Sequence, residues 1–286
     1  MCFQRPSASE LSRRDFIALS LAVAAGAARP AAGAELRVVE RAVEIRTPDG
    51  ACDAAFIHPD HGSYPAVLIW PDSLGLRPAL LELGRRIAGE GYCALIPNHL
   101  YRTAKAPVFR ESFNPLEDPA DRDEYRRHIT PFTAPGAAEK DAVAHVAYLD
   151  SQPQVDRKRK IGTHGYCLGG PYVLKTAAAL PDRIGAAASF HGGFLVTGKP
   201  DSAHLLAPRI KARVYFAIAA DDDAREPEVK DKLLQAFVAA RVPAEIEVYR
   251  NARHGWCVPD HQGAVANKVD AERAWRKLVA LYREAL

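Results

Sequence analysis

The chain has 286 residues, 48% hydrophobic and 26% charged, with 38 basic against 35 acidic side chains for a net charge of +3. That length and apolar content can build one large α/β domain with a substantial core, which excludes a disordered chain. So small a charge surplus, with basic residues scattered and no aromatic-basic patch, gives nucleic-acid binding no support.

The N-terminus carries Ser12-Arg13-Arg14-Asp15-Phe16-Ile17, then an apolar run from Phe16 to Ala28 and an Ala32-Gly33-Ala34 site suited to signal peptidase. This is a twin-arginine export pattern, which predicts a signal peptide over residues 1–34 and a mature chain from Glu35. The expected partners are the twin-arginine export machinery and signal peptidase, and the expected location is periplasmic or secreted. The apolar run is shorter than the roughly 20 residues a membrane helix needs, and no later segment reads as transmembrane. A mature protein with no stable membrane span is the expectation.

After the leader, strands and helices alternate, the signature of a mostly parallel sheet covered by helices on both faces. Two antiparallel strands, Val38 to Ile45 and Ala54 to His58, are expected around a turn at Pro48-Asp49-Gly50. Ala66 to Trp70 reads as a buried strand, Pro78 to Glu90 as a helix and Cys93 to Pro97 as the next strand. The stretch from Asn98 to Thr133, rich in proline and charge, is the least regular, and functional loops in such folds cluster at strand C-termini. It is expected to cover the pocket. A helix from Pro135 to Asp150 follows.

Lys160 to Val173 reads KIGTHGYCLGGPYV: a short strand, a Gly165-Tyr-Cys167-Leu-Gly169 turn and a helix of small residues. It resembles the nucleophile elbow of an α/β-hydrolase with cysteine in place of serine. Glycine is needed on both flanks, because the sharp turn that lifts the nucleophile above the sheet leaves no room for side chains. A lone cysteine is more often a buried packing residue than a nucleophile, and that reading suits Cys93. Core packing requires no flanking glycines and no later acid and base, so Cys167 is the candidate nucleophile.

Beyond the elbow helix come a strand from Gly185 to Phe190, a second irregular piece from His191 to Pro208, and an apolar strand from Ala212 to Ala219. The latter ends at Asp221-Asp222-Asp223, one of which is positioned to orient a histidine. A helix from Pro227 to Ala240 leads into Ala244 to Tyr249, whose polar-apolar alternation fits a strand with one face more exposed. His254 follows that last strand and precedes the final helix to Ala285, the place where this fold delivers its base. Nine other histidines compete. His164 sits inside the elbow strand and His261 opens the last helix region, while His99 and His191 follow strands and are candidates to line the pocket.

The specific pieces are Gly165-Tyr-Cys-Leu-Gly-Gly170, His254-Gly-Trp256, Pro71-Asp-Ser-Leu-Gly75 and Gly91-Tyr-Cys-Ala-Leu-Ile-Pro97. On them the chain, from about Val43 to Leu286, resembles the dienelactone hydrolase (carboxymethylenebutenolidase) family. The resemblance implies an α/β-hydrolase fold and a Cys-Asp-His triad falling on Cys167, Asp222 and His254, with Asp222 favoured over Asp223 by alignment of the strand. It implies an oxyanion hole from the backbone N–H groups of Leu168 and Ser73. Family members place a glutamate beside the nucleophile where this chain has Asp72, one methylene shorter, so whether it reaches the thiol is open. Arg102 corresponds to a substrate-binding arginine whose fork suits a carboxylate, and His191 and Trp256 are further substrate-binding candidates.

The implied activity is hydrolysis of a small-molecule ester or lactone, dienelactone-like, with a carboxylate suited to the arginine, through an acyl-thioester and with no cofactor. A broad-specificity exported carboxylesterase and a non-catalytic binding protein on a hydrolase scaffold are the alternatives. No spacing resembles a zinc site, so no metal is expected. Of five cysteines, Cys52, Cys93 and Cys257 stay unassigned; an oxidising compartment permits one disulfide among them without indicating which.

Overall fold

A computed structural model describes residues 36–115, 117–261 and 267–286. The expected signal peptide over residues 1–34 lies outside the described residues. Strand β1 (Val38–Thr47) and strand β2 (Gly50–Pro59) form the expected hairpin, each longer than the apolar pattern indicates, with Thr47 opposite Gly50. The Thr47 hydroxyl donates to Gly50 O at 3.0 Å and accepts from Asp49 N–H at 3.2 Å, so the turn closes itself with a side chain.

Then come β3 (Ala66–Trp70), α1 (Pro78–Gly89), β4 (Cys93–Pro97), α2 (Pro119–Thr133), α3 (Ala137–Ser151), β5 (Ile161–Tyr166) and α4 (Gly169–Ala179). The remainder is β6 (Ile184–Phe190), a 3₁₀ segment at Ala203–Arg209, β7 (Arg213–Ala219), α5 (Ala220–Arg225), α6 (Val229–Ala239), β8 (Ala244–Tyr249) and α7 (Lys268–Ala285). One eight-stranded sheet results, ordered β1-β2-β4-β3-β5-β6-β7-β8. The β1-β2 and β2-β4 pairs are antiparallel and all others parallel. This is an α/β-hydrolase fold.

Burial on both faces explains the near-continuous apolar strands. In β3, Ala66, Leu68 and Trp70 enter one core layer with Phe132, Leu149 and Val173, while Val67 and Ile69 enter the other with Leu80, Ile87 and Leu278. The period of two divides one strand between two cores.

One local expectation needs correction. The stretch from Asn98 to Thr133 is not irregular throughout, because α2 occupies its second half. Proline there starts the helix: Pro119 stands in the first turn, where its missing N–H costs nothing, and the Asp118 carboxylate caps Ala120 N–H at 2.8 Å. The three aspartates after β7 fall in the short helix α5. All parallel strands run toward one edge, where the loops after β3, β5, β6, β7 and β8 gather.

Candidate active site

Cys167 follows β5 and has φ +49°, a left-handed conformation unusual for a residue other than glycine. The neighbouring backbone enforces it. A methyl group at Gly165 would lie 2.5 Å from the Gly169 carbonyl oxygen, and one at Gly169 would lie 2.5 Å from Trp70 O and 2.6 Å from Pro71 O. Both glycines are therefore required by close approach, and the same approach brings the β3–α1 loop against the elbow. Backbone bonds clamp the turn: Cys167 N–H donates to Phe190 O at 3.0 Å, and Cys167 O accepts from Gly170 N–H at 3.0 Å and Gly193 N–H at 3.2 Å. A strained residue persists only where its surroundings over-determine it.

The three aspartates after β7 have three different tasks. The Asp222 Oδ2 atom lies 2.8 Å from His254 Nδ1, and its other oxygen is held by Arg225. Asp221 Oδ1 accepts the backbone N–H of His254 at 2.9 Å, and Asp223 pairs with Lys230 at 2.6 Å. Hence one carboxylate orients the imidazole, its neighbour fixes the main chain that carries the imidazole, and the third faces α6. His254 and Cys167 line the same cavity, and the Cys167 side chain favours the charged imidazole. Burial disfavours an imidazolium at this position, but Asp222 and Cys167 outweigh it and raise the His254 pKa to about 10.

Beside Cys167 and His254 opens a cavity of about 350 Å³. Gly192, Phe194, Leu195, Ile218 and Val229 supply apolar wall, and Arg225 and Lys230 supply charge already paired with Asp222 and Asp223. Tyr125 of α2 stands near Ser73 and Cys167, and burial raises its pKa. The predicted irregular stretch thus reaches the site through a helix.

Asp72 does not present a carboxylate to the thiol. It is buried, and Arg77 grips it with two bonds of 2.8 and 2.9 Å while binding Asp260 with two more of 2.6 and 2.8 Å. The shorter side chain bends back to its own loop, where its Oδ1 also caps Leu74 N–H at 2.9 Å. Flanked by two carboxylates, the Arg77 guanidinium is held even more firmly in its charged form, against the cost of its burial.

Three residues expected at the substrate are engaged elsewhere. Arg102 spends its fork on Asp141, at 2.8 and 2.9 Å, and on Asp49, at 3.1 and 2.7 Å, which makes it a half-buried strut between the hairpin turn and α3. Trp256 is fully buried against Tyr249 and His191. His191 is buried behind Cys167, with its Nδ1 accepting Cys167 N–H at 3.1 Å. His99 packs its ring on Phe132, 4.3 Å away, and burial lowers its pKa to about 3. Cys52 and Cys93 are buried free thiols donating to backbone carbonyls, and Cys257 is also free.

Sequence reasoning missed Asp221, Arg77 and Asp260. The acidic run is visible, but the division of labour within it depends on which way each carboxylate leaves α5. Arg77 stands five residues after Asp72, yet its second partner lies 183 residues away along the chain.

The model of the dienelactone hydrolase family matches residues 52–286. The chain is 28% identical over 256 residues to a carboxymethylenebutenolidase of Rhodococcus opacus, covering 84% of this chain and 90% of that one. A putative carboxymethylenebutenolidase of Synechocystis is 27% identical over 228 residues, 79% of this chain and 88% of that one. Among solved structures, a putative dienelactone hydrolase of Klebsiella pneumoniae superposes with a TM-score of 0.73 at 21% identity, over 86% of this chain and 99% of that one. The fold is shared more distantly with an acylaminoacyl peptidase of Pyrococcus horikoshii, with a TM-score of 0.57 at 17% identity over 85% of this chain and 42% of that one.

Proposed function

The chain belongs to the dienelactone hydrolase family and is a hydrolase, and from that premise we propose that it cleaves a small ester or lactone through Cys167, His254 and Asp222. The observation that carries the reading is one juxtaposition: Asp222 Oδ2 lies 2.8 Å from His254 Nδ1, and His254 and Asp222 line the same cavity as Cys167, whose backbone stands at φ +49°. Nucleophile, base and orienter meet although 87 residues separate Cys167 from His254 (254 − 167).

In this mechanism the thiol proton passes to His254 as the sulfur attacks, and Asp222 favours the imidazolium so formed. The sulfur attacks the ester carbonyl carbon, and the electron pair of the C=O bond moves to oxygen. The N–H groups of Leu168 and Ser73 and the N-terminus of α4 stabilise that oxyanion, a contribution of about a hundred- to a thousandfold per donor in comparable sites. Collapse expels the alkoxide, which takes the His254 proton. His254 then removes a proton from water, the hydroxide attacks the thioester, and the thiolate leaves. Asp222 keeps the Nδ1 hydrogen in place so that Nε2 faces the sulfur throughout.

One observation favours a broader carboxylesterase within the same chemistry. The arginine expected to grip a substrate carboxylate is committed to Asp141 and Asp49, and the cations at the cavity are paired with Asp222 and Asp223. The test is a panel of dienelactone and simple aryl esters, quenched early and examined by peptide mass spectrometry. A mass increment equal to the acyl group is expected on Cys167, and turnover without any adduct or burst on that residue overturns the thioester route.

Export rests on the Arg13-Arg14 pattern and the Ala32-Gly33-Ala34 site. We place the mature protein in the periplasm or outside the cell; no helix among the described residues is long and apolar enough to cross a membrane. N-terminal sequencing of the exported protein should begin at Glu35. Full-length protein confined to the cytoplasm would end this proposal.

A further inference from the structure

His191 takes up a position that neither substrate binding nor the triad explains. It follows β6 with φ +39°, and its own N–H is tied to Ala217 O of β7 at 2.8 Å. The residue is 1% exposed and contacts both the backbone of Cys167 and the ring of His254. On one side, Nδ1 accepts the amide hydrogen of Cys167 at 3.1 Å, sharing it with Phe190 O at 3.0 Å. On the other, the ring centroid is 4.8 Å from His254 and 5.3 Å from Trp256, with Tyr166 at 6.0 Å closing the pocket.

An amide can only donate, so Nδ1 must be the bare nitrogen and the ring proton sits on Nε2. Protonating Nδ1 would set two hydrogens against each other and put a second cation beside His254. The surroundings act in the same direction: burial and the facing charges of His254 and His261 push His191 well below the ordinary histidine range. The ring is therefore a permanent neutral acceptor. Since Gly193, two residues on, donates to Cys167 O at 3.2 Å, the segment after β6 holds both backbone polar groups of the nucleophile.

We propose that His191 is a positioning residue that fixes the Cys167 elbow through its amide, so that the sulfur stays aligned with the His254 ring. The proposal rests on the hydrolase reading above. Misalignment by about an ångström at a reacting centre costs on the order of a hundredfold, which sets the scale of the expected loss.

Three variants separate acceptor from packing. His191→Asn keeps an oxygen where Nδ1 stands and tolerates a left-handed backbone, but loses the ring. His191→Leu and His191→Phe keep apolar volume and lose the acceptor. With p-nitrophenyl acetate, the apolar variants are expected to lose about thirtyfold in kcat with KM changed less than threefold, whereas His191→Asn stays within about fivefold of wild type. Thermal midpoints should rank differently, with His191→Asn lowered because Trp256 loses its neighbour. Alkylation of Cys167 by iodoacetamide at neutral pH, followed by peptide mass spectrometry, should slow about fivefold in the apolar variants and not in His191→Asn. This arm needs no ester turnover. If Cys167→Ala still hydrolyses the ester, the hydrolase mechanism fails while alkylation still judges His191. Equal kcat in all variants, parallel losses in Asn and apolar variants, or failure of both apolar variants to fold would each overturn the positioning role.

Discussion

Cys167→Ala is expected to lose at least about a thousandfold in kcat on any ester the wild type turns over, with the fold intact. Removing a nucleophile leaves only binding and the oxyanion donors, which sustain a small residue of catalysis in enzymes of this kind. The protein should tolerate the change, because Cys167 is only partly buried and the clamps on the elbow are backbone bonds that alanine preserves. A far-ultraviolet spectrum and a thermal midpoint within a few degrees of wild type would accompany the loss. Turnover within tenfold of wild type would remove the sulfur from the mechanism.

Asp222→Asn should cost about a thousand- to ten-thousandfold in kcat, while Asp223→Asn stays within about threefold. The amide in place of Oδ2 turns a hydrogen-bond acceptor into a donor toward Nδ1, or leaves a neutral oxygen, so the imidazole loses both its tautomer control and its counter-charge. Asp223 meets Lys230 near the rim, where an ion pair contributes little. A pH signature accompanies the rate effect. His254 has its pKa raised to about 10 by Asp222 and Cys167, against burial, so its contribution to stability is complete below the ordinary histidine range near 6.5 and disappears as pH rises through 10. The gap in thermal midpoint between wild type and Asp222→Asn should be widest near pH 6 and narrow toward pH 10. A large rate loss in Asp223→Asn with Asp222→Asn unaffected would transfer the acid to the neighbouring residue.

Much of the fold was legible because the strands carry their burial in composition: five- to seven-residue apolar runs such as Ala66–Trp70 and Arg213–Ala219 can only be buried strands in a layered sheet. The elbow was legible because steric demand writes itself as glycine at two fixed positions. What escaped were side-chain directions. Asp72, Arg102 and Trp256 occupy the positions alignment assigns, but Arg77, Asp141 and Tyr249 engage them, and such choices depend on partners far along the chain. The helix α2 escaped for a different reason, since a proline at a first turn and a proline in a loop look alike until the capping carboxylate of Asp118 is seen in place.

Arg77 binds Asp72 before α1 and Asp260 after β8, so one guanidinium spans the loop that would receive the oxyanion and the loop that carries the imidazole. These two halves of the machinery share a mechanical linkage. Kinetic constants for polarising a carbonyl and for delivering a proton are then not independent at this point: loosening the arginine disturbs both together, and selection on either one is felt by the other.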